Sequence, residues 1–358
     1  MTAAGCDDVP VAGDAAAEAP GRVDVVRDGA VAELVLTRPG RHNALVPGLL
    51  DALVEAVETV GADPQVRAVL LRAAGRSFST GGDLAAFAAR DSADAGGGSS
   101  AAGSSAVPSS GAVQFPADAR AAAPREEAGA PDVPDAGGGS SAAGSSAVLS
   151  SGAVQFPADA RAAAPQGEAA LAAYAERVVG RLNDAILALA RLPVPLVVAW
   201  QGPVTGGALG LVLPADVVVA SDDAWLQPYY GQVGFAPDGG WTALLPELVG
   251  RHRAAEVLVR DRRVPAAELR DWGLVAEVVA GDELLPRARA VTAQAAALAA
   301  GTQGVVRRLL GGDGRDPEAL AARLDAERRA FVAQVTTDEA RAGLRAFTAR
   351  AAGEASDH

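Results

Sequence analysis

Two glycine-rich clusters have the residue types and spacing to do chemistry. Phe78-Ser79-Thr80-Gly81-Gly82-Asp83-Leu84 follows an apolar run at 67–73, and Gly202-Pro203-Val204-Thr205-Gly206-Gly207-Ala208 follows another at 194–200. Small residues at a turn let a ligand come close to the main chain. A helix starting beyond the turn aims free N–H groups and its positive end at that ligand. One N–H from each of two such turns can hold a single oxygen between them, which is an oxyanion hole. Metal chemistry is not expected. The chain has one cysteine, Cys6, and three scattered histidines, His42, His252 and His358, too few for a cysteine or histidine cage.

The two turns need a frame to hold them side by side, and the pattern around them supplies one. RVDVVRDGAVAELVLTRP (22–39) reads as two β runs joined at Asp28-Gly29, a strong hairpin signal. Residues 48–63 carry apolar side chains at helical spacing, and 67–75 reads as a buried strand. A helix over about 169–191 leads into a buried strand at 194–200, and 215–221 and 274–279 complete the set. Strands alternating with helices predict an α/β fold with a mostly parallel sheet. From about 282 the pattern is helical, so a C-terminal helical section is expected over 282–352.

Composition sets the limits of that frame. Of the 358 residues, 1–20 read as a disordered acidic tail, and 91–167 as a low-complexity insert of Gly, Ala, Ser and Pro. The insert holds a tandem duplication: residues 94–124 recur at 135–165 with one change, Pro108 against Leu149. It is expected to be a mobile surface loop. Residues 21–90 and 168–281 are left as the α/β core, enough for one domain. The formal net charge is −13, lysine is absent, and no basic face is evident, so a nucleic-acid partner is not expected. No apolar run reaches the roughly 18 residues that would span a bilayer. Acidic residues come before any basic one at the N-terminus, the reverse of a signal peptide, so a cytoplasmic location with no membrane partner is expected.

Five segments together resemble the crotonase, or enoyl-CoA hydratase/isomerase, family: TRPGRHNAL (37–45), GRSFSTGGDL (75–84), GPVTGGALGLVLPADVVVAS (202–221), GFAPDGGWTALLP (234–246) and AAELRDWGLVAEVV (266–279). The resemblance implies a core of repeated ββα units with C-terminal helices that serve trimerisation, as a homotrimer or a dimer of trimers. It implies an acyl-CoA thioester as substrate and no cofactor beyond the coenzyme A that the substrate carries. The family's two oxyanion donors fall on the backbone N–H groups of Gly82 and Gly207, and Asp83 is expected to brace its turn. Arg38 and Arg41 are the expected partners of the CoA phosphates, and Arg350 could reach a neighbouring subunit. Ala44, Ser79, Gly81, Leu84, Gly206, Tyr230 and Trp241 are the other residues expected around the substrate.

The same resemblance bears on the reaction. The two glutamates of typical hydratases fall here on Gly210 and Tyr230, so neither place holds a carboxylate. Tyr230 is expected to wall the acyl pocket. Asp238, in Pro237-Asp238-Gly239-Gly240, resembles the acid/base of the isomerase-like branch, where one carboxylate takes a proton from one carbon and returns it to another. The same aspartate could instead cap a helix starting at the following residues. The expected activity is an acyl-CoA isomerase. A hydratase, hydrolase or decarboxylase with the same oxyanion hole is the alternative, and a non-catalytic acyl-CoA-binding protein is the alternative from another class.

Overall fold

In the computed structural model the described residues are 21–91, 167–311 and 316–356. The expected acidic tail and all but the two ends of the expected insert lie outside them. The chain opens with strands β1 (Arg22–Asp28) and β2 (Val31–Thr37), an antiparallel hairpin. Its turn needs Gly29, whose φ is +55°. Helix α1 (Pro47–Ala62) then crosses to β3 (Ala68–Ala73), which lies parallel to β2.

Helix α2 (Leu84–Asp91) leaves the first glycine cluster, and α3 (Glu168–Arg191) leads back to the sheet. The Gly167 N–H donates to the Arg90 carbonyl at 2.8 Å, so the start of α3 is bonded to the end of α2. Strands β4 (Leu196–Trp200), β5 (Pro203–Thr205), β6 (Val217–Ser221) and β7 (Trp225–Gln227) follow. After the short helices α4 (Tyr230–Val233), α5 (Leu245–Val249) and α6 (Arg251–Arg260) come β8 (Val264–Pro265), helix α7 (Ala266–Asp271) and β9 (Glu277–Val279). The chain ends in four helices: α8 (Leu284–Ala297), α9 (Ala300–Gly311), α10 (Pro317–Val335) and α11 (Asp338–Ser356).

The main sheet has the order β1-β2-β3-β4-β6-β9, parallel from β2 onward, and a smaller sheet has the order β5-β7-β8. Strand β4 is apolar at every position, and β3 at all but Arg72, because both faces of the sheet are covered. Val69 and Leu71 of β3, with Val198 and Trp200 of β4, join the core under α1 and α3. Their neighbours Leu70, Val197 and Ala199 join Leu284 and Ala288 of α8 on the other face. Ligands of such sheets bind beyond the carboxyl ends of the strands, and both glycine clusters lie there.

The segment between β2 and α1 fixes the first cluster through one buried residue. Asn43 adopts the left-handed conformation (φ +52°), and its side-chain oxygen accepts the Arg38 N–H at 2.8 Å. Its side-chain nitrogen donates to the carbonyls of Ala74 (2.8 Å) and Ser77 (2.9 Å). Alanine at 43 would lose all three bonds and the residue type that tolerates this backbone. We expect Asn43→Ala to lower the stability by about 3 kcal/mol, read as a shift in the urea unfolding midpoint with an unchanged slope.

Candidate active site

The first turn is held from below by ions. Asp83 is buried and accepts from Arg38 Nη1 (2.9 Å) and Arg41 Nη2 (3.0 Å). Burial alone would raise its carboxyl, but the two guanidinium charges and their hydrogen bonds outweigh it and hold the group below the usual carboxylate range. Asp83 therefore stays ionised and braces the turn. Leu45 donates to the Gly81 carbonyl (2.7 Å), and Asp83 N–H donates to the Leu45 carbonyl (3.2 Å). These bonds turn both neighbours of Gly82 toward Leu45, so the alternation of the backbone turns the Gly82 N–H the other way.

The second turn is stitched to the first. Ser79 bridges to Val204 of β5: Ser79 N–H donates to the Pro203 carbonyl (3.3 Å), and Thr205 N–H donates to the Ser79 carbonyl (3.2 Å). Gly81 has φ +75°, and a Cβ there would lie 2.6 Å from the Thr205 carbonyl oxygen, so only glycine lets the turns meet. The helix expected after the second cluster is a 3-10 helix over Gly206–Leu211. Trp241 Nε1 donates to the Gly206 carbonyl at 2.8 Å and fixes the start of that helix. Among the described residues, no protein acceptor takes the N–H of Gly82 or of Gly207.

Both glycines line one cavity, and Asp238 lines it with them. The remaining lining is mostly apolar and aromatic, from Leu45 and Leu84 through Phe87, Leu182 and Phe235 to Phe331 and Phe347. Asp238 is the one carboxylic acid among the described residues that line it. Burial pushes its carboxyl from 3.8 up to about 7. A hydrogen bond from Tyr230 pulls against that rise, and the nearby charge of Glu327 adds to it. Tyr230 Oη donates to Asp238 Oδ1 at 2.5 Å, and burial together with the Asp238 charge raises the phenol well above its ordinary value.

Asp238 does not cap a helix. Residues 239–244 form turns, and α5 starts only at Leu245. The free N–H groups beyond Asp238 go instead to Glu327, a buried residue of α10. Its two oxygens accept from the backbone of Gly240 (2.7 Å), Thr242 (2.7 Å) and Ala243 (2.9 Å), and from the Thr242 hydroxyl (2.6 Å). The carboxyl at 238 is thus not drawn into the backbone turns that follow it. Sequence reading missed Glu327 because nothing near position 327 marks it; the bond spans more than eighty residues.

Of the residues expected around the substrate, Gly82, Leu84, Gly206, Gly207, Tyr230 and Asp238 line the cavity, whereas Arg38, Arg41, Ala44, Ser79, Gly81 and Trp241 do not. Arg38 is buried with its Nη1 on the Ala44 carbonyl and Asp83, so it braces the turn from within. Arg41 shares that aspartate. Ser79 Oγ is spent on the Asn43 carbonyl at 2.7 Å, and Trp241 is fully buried behind Tyr230. The place of the first hydratase glutamate is closed: a Cβ on Gly210 would lie 2.5 Å from Ile186 Cδ1 and 2.7 Å from the Gly239 carbonyl oxygen. Among the described residues no cluster of histidine, cysteine or acids could hold a metal, and no helix is long and apolar enough to cross a membrane.

A model of the family described as "Enoyl-CoA hydratase/isomerase" matches residues 27–103 and 146–354, most of the chain. The chain belongs to the enoyl-CoA hydratase/isomerase family. Relatives within it are named for different reactions. The chain is 35% identical to 4-chlorobenzoyl coenzyme A dehalogenase-1 of an Arthrobacter species, over 33% of this chain and 43% of that one. It is 27% identical to 1,2-epoxyphenylacetyl-CoA isomerase of Escherichia coli, over 47% of this chain and 63% of the relative. The chain spans about half the length of the curated relatives it matches. The fold is that of a Bacillus halodurans enoyl-CoA hydratase crystal structure, with a TM-score of 0.64 at 18% identity, covering 90% of this chain and 99% of that one.

For this enoyl-CoA hydratase/isomerase family member the buried acid has a cost in stability. Folding raises the Asp238 carboxyl from 3.8 to about 7, so its ionisation opposes folding. The loss begins as pH rises above the unfolded value and is complete above the folded one. Asp238→Asn removes that ionisation. We expect the variant to be more stable than the wild type by about 4 kcal/mol at pH 8 and by little near pH 4, measured by chemical denaturation across that range.

Proposed function

We propose that this chain is an acyl-CoA isomerase that shifts a double bond within an enoyl-CoA thioester. The observation that carries this reading is that Asp238 is the single carboxyl among the described residues on a cavity wall shared with Gly82 and Gly207. Adding water to a double bond is work for two groups, one activating water and one delivering a proton. Moving a double bond needs only one, because the proton that leaves one carbon returns to another. The closed position at Gly210 favours the same choice, since no side chain fits there.

In this mechanism the thioester oxygen lies between the N–H groups of Gly82 and Gly207. Asp238 takes a proton from the carbon next to the thioester or its vinylogous neighbour, and the electron pair spreads into a dienolate whose charge rests on that oxygen. The acid then returns the proton at the other end of the dienolate. Preorganised donors act most strongly at the point where charge develops, and each is worth about 3 kcal/mol where one has been removed in a well-studied enzyme. A carboxyl with a value of about 7 is poised to give and take a proton near neutrality. The apolar lining keeps water from the dienolate.

The reading draws on no group beyond the chain and the coenzyme A of the substrate. A cytoplasmic location and a homotrimer or dimer of trimers go with it as parts of the proposal. The exposed apolar side chains of α9, Val305, Val306, Leu309 and Leu310, are a surface available for such assembly. The direct test is turnover of a 3-enoyl-CoA in deuterium oxide by the wild type and Asp238→Ala. We expect isomerisation with deuterium entering the product at the γ-carbon to the extent that the acid's proton exchanges with solvent, and a fall of about 10²–10⁴-fold in kcat for the variant. Hydration of crotonyl-CoA at a rate indifferent to Asp238→Asn would favour the hydratase instead, and tight acyl-CoA binding without turnover would favour a binding protein.

A further inference from the structure

The two oxygens of Asp238 are not equivalent. Oδ1 accepts the Tyr230 hydroxyl at 2.5 Å, while the same hydroxyl lies 3.1 Å from the Asp238 carbonyl oxygen. One hydroxyl carries one proton, so the shorter contact, to the carboxyl, is the one it serves. No other residue among those described donates to Oδ2: besides the Tyr230 hydroxyl the carboxyl meets only the backbone N–H of Asp238 itself, and Oδ2 is not among the sealed polar atoms left without a partner. It is therefore the oxygen open to the cavity.

Tyr230 is itself held firmly. It is buried, and its ring stands at 90° to Trp241 with centroids 6.2 Å apart. Trp241 is in turn tied to the Gly206 carbonyl of the second glycine turn. On the other side, the preceding residue, Tyr229, has φ +61°, a conformation rare for a non-glycine residue. Asp261 pins it there, accepting the Tyr229 N–H at 2.6 Å. Such strain persists only where the surroundings impose it, and here it sets the direction in which Tyr230 enters the site.

We infer that Tyr230 is a positioning residue for the proton transfer: its hydroxyl occupies Oδ1, so that Oδ2 alone takes up and returns the substrate proton. The inference rests on the isomerase reading. In the first half-step a C–H bond breaks and an O–H bond forms on Oδ2, with the electron pair left in the dienolate. In the second half-step the O–H bond breaks and a C–H bond forms on the other carbon, so protons and electrons balance over the cycle. Tyr230 keeps its own proton throughout. Among the described residues, the ionisable groups that face Asp238 are Tyr230 from α4 and Glu327 from α10, while α3 contributes apolar Leu182 to this corner and the 3-10 helix contributes Gly207.

The test uses the full chain and Tyr230→Phe, which keeps the ring packed on Trp241 and removes only the hydroxyl. Expected for a 3-enoyl-CoA is a fall in kcat of tenfold or more, with KM changed less than twofold. The acid limb of the pH profile should move upward, because the lost hydrogen bond had been favouring the charged carboxylate. Replacing the three tyrosines of the chain with 3-fluorotyrosine, a stronger donor, should move the limb downward. An acid limb unmoved in both proteins would overturn the inference, even with a lower kcat, since ring packing alone would explain that loss. Carbon-13 titration of the Asp238 carboxyl, assigned by its absence in Asp238→Asn, separates the two readings. A higher value in Tyr230→Phe supports the pairing even if the wild type fails to isomerise, whereas equal values overturn the pairing even if it does.

Discussion

Everything in the site depends on two turns, more than a hundred residues apart in sequence, touching backbone to backbone. The bridge between Ser79 and Val204 and the close pass of Gly81 against Thr205 bring them together. No side chain could mediate that contact at this distance. A methyl group on Gly81 would strike the Thr205 carbonyl oxygen, and one on Gly207 would strike Leu182 and the Asp238 carboxyl. The parallel sheet supplies the rigidity, because β3 and β4 are adjacent and deliver both turns at their carboxyl ends. Once the turns meet, an N–H from each is left facing a cavity.

The acid is placed by a different logic. Local structure ordinarily claims an aspartate that precedes two glycines as a cap or turn former. Here Glu327 reaches in from α10 and takes the N–H groups that would have competed for it. The C-terminal helices thereby free one carboxyl and seal it in apolar surroundings. An ionisable group in such a position is a stability burden, and burdens of that kind gather where chemistry is done. The Asp91 carboxylate, bridged to Arg341 and Arg345 of α11, ties α2 to the same helical section.

Much of this was legible in the sequence where the signal is local. The Asp28-Gly29 turn, the buried runs of β3, β4 and β6, and the two glycine clusters all follow from spacing and composition, and the resemblance put them in one family. What could not be read depends on long-range partners. Arg38 looks like any surface arginine near a motif, and only the fold shows it buried on Asp83. The two- and three-residue strands β5, β7 and β8 have no periodicity to detect, yet β5 carries the bridge to the first turn. Tyr230 read as a wall because its bond to Asp238 depends on the left-handed turn at Tyr229, for which no glycine or asparagine gave warning.

The central claim is that amides from both turns polarise one thioester oxygen, and infrared spectroscopy of a bound substrate analogue reads that directly. A hexadienoyl-CoA labelled with carbon-13 at the thioester carbonyl should show its stretching band shifted to lower frequency in the complex than in water. The shift should shrink when Gly82→Pro removes one N–H. A band at its solution frequency in the wild-type complex would contradict the account, whatever turnover is found.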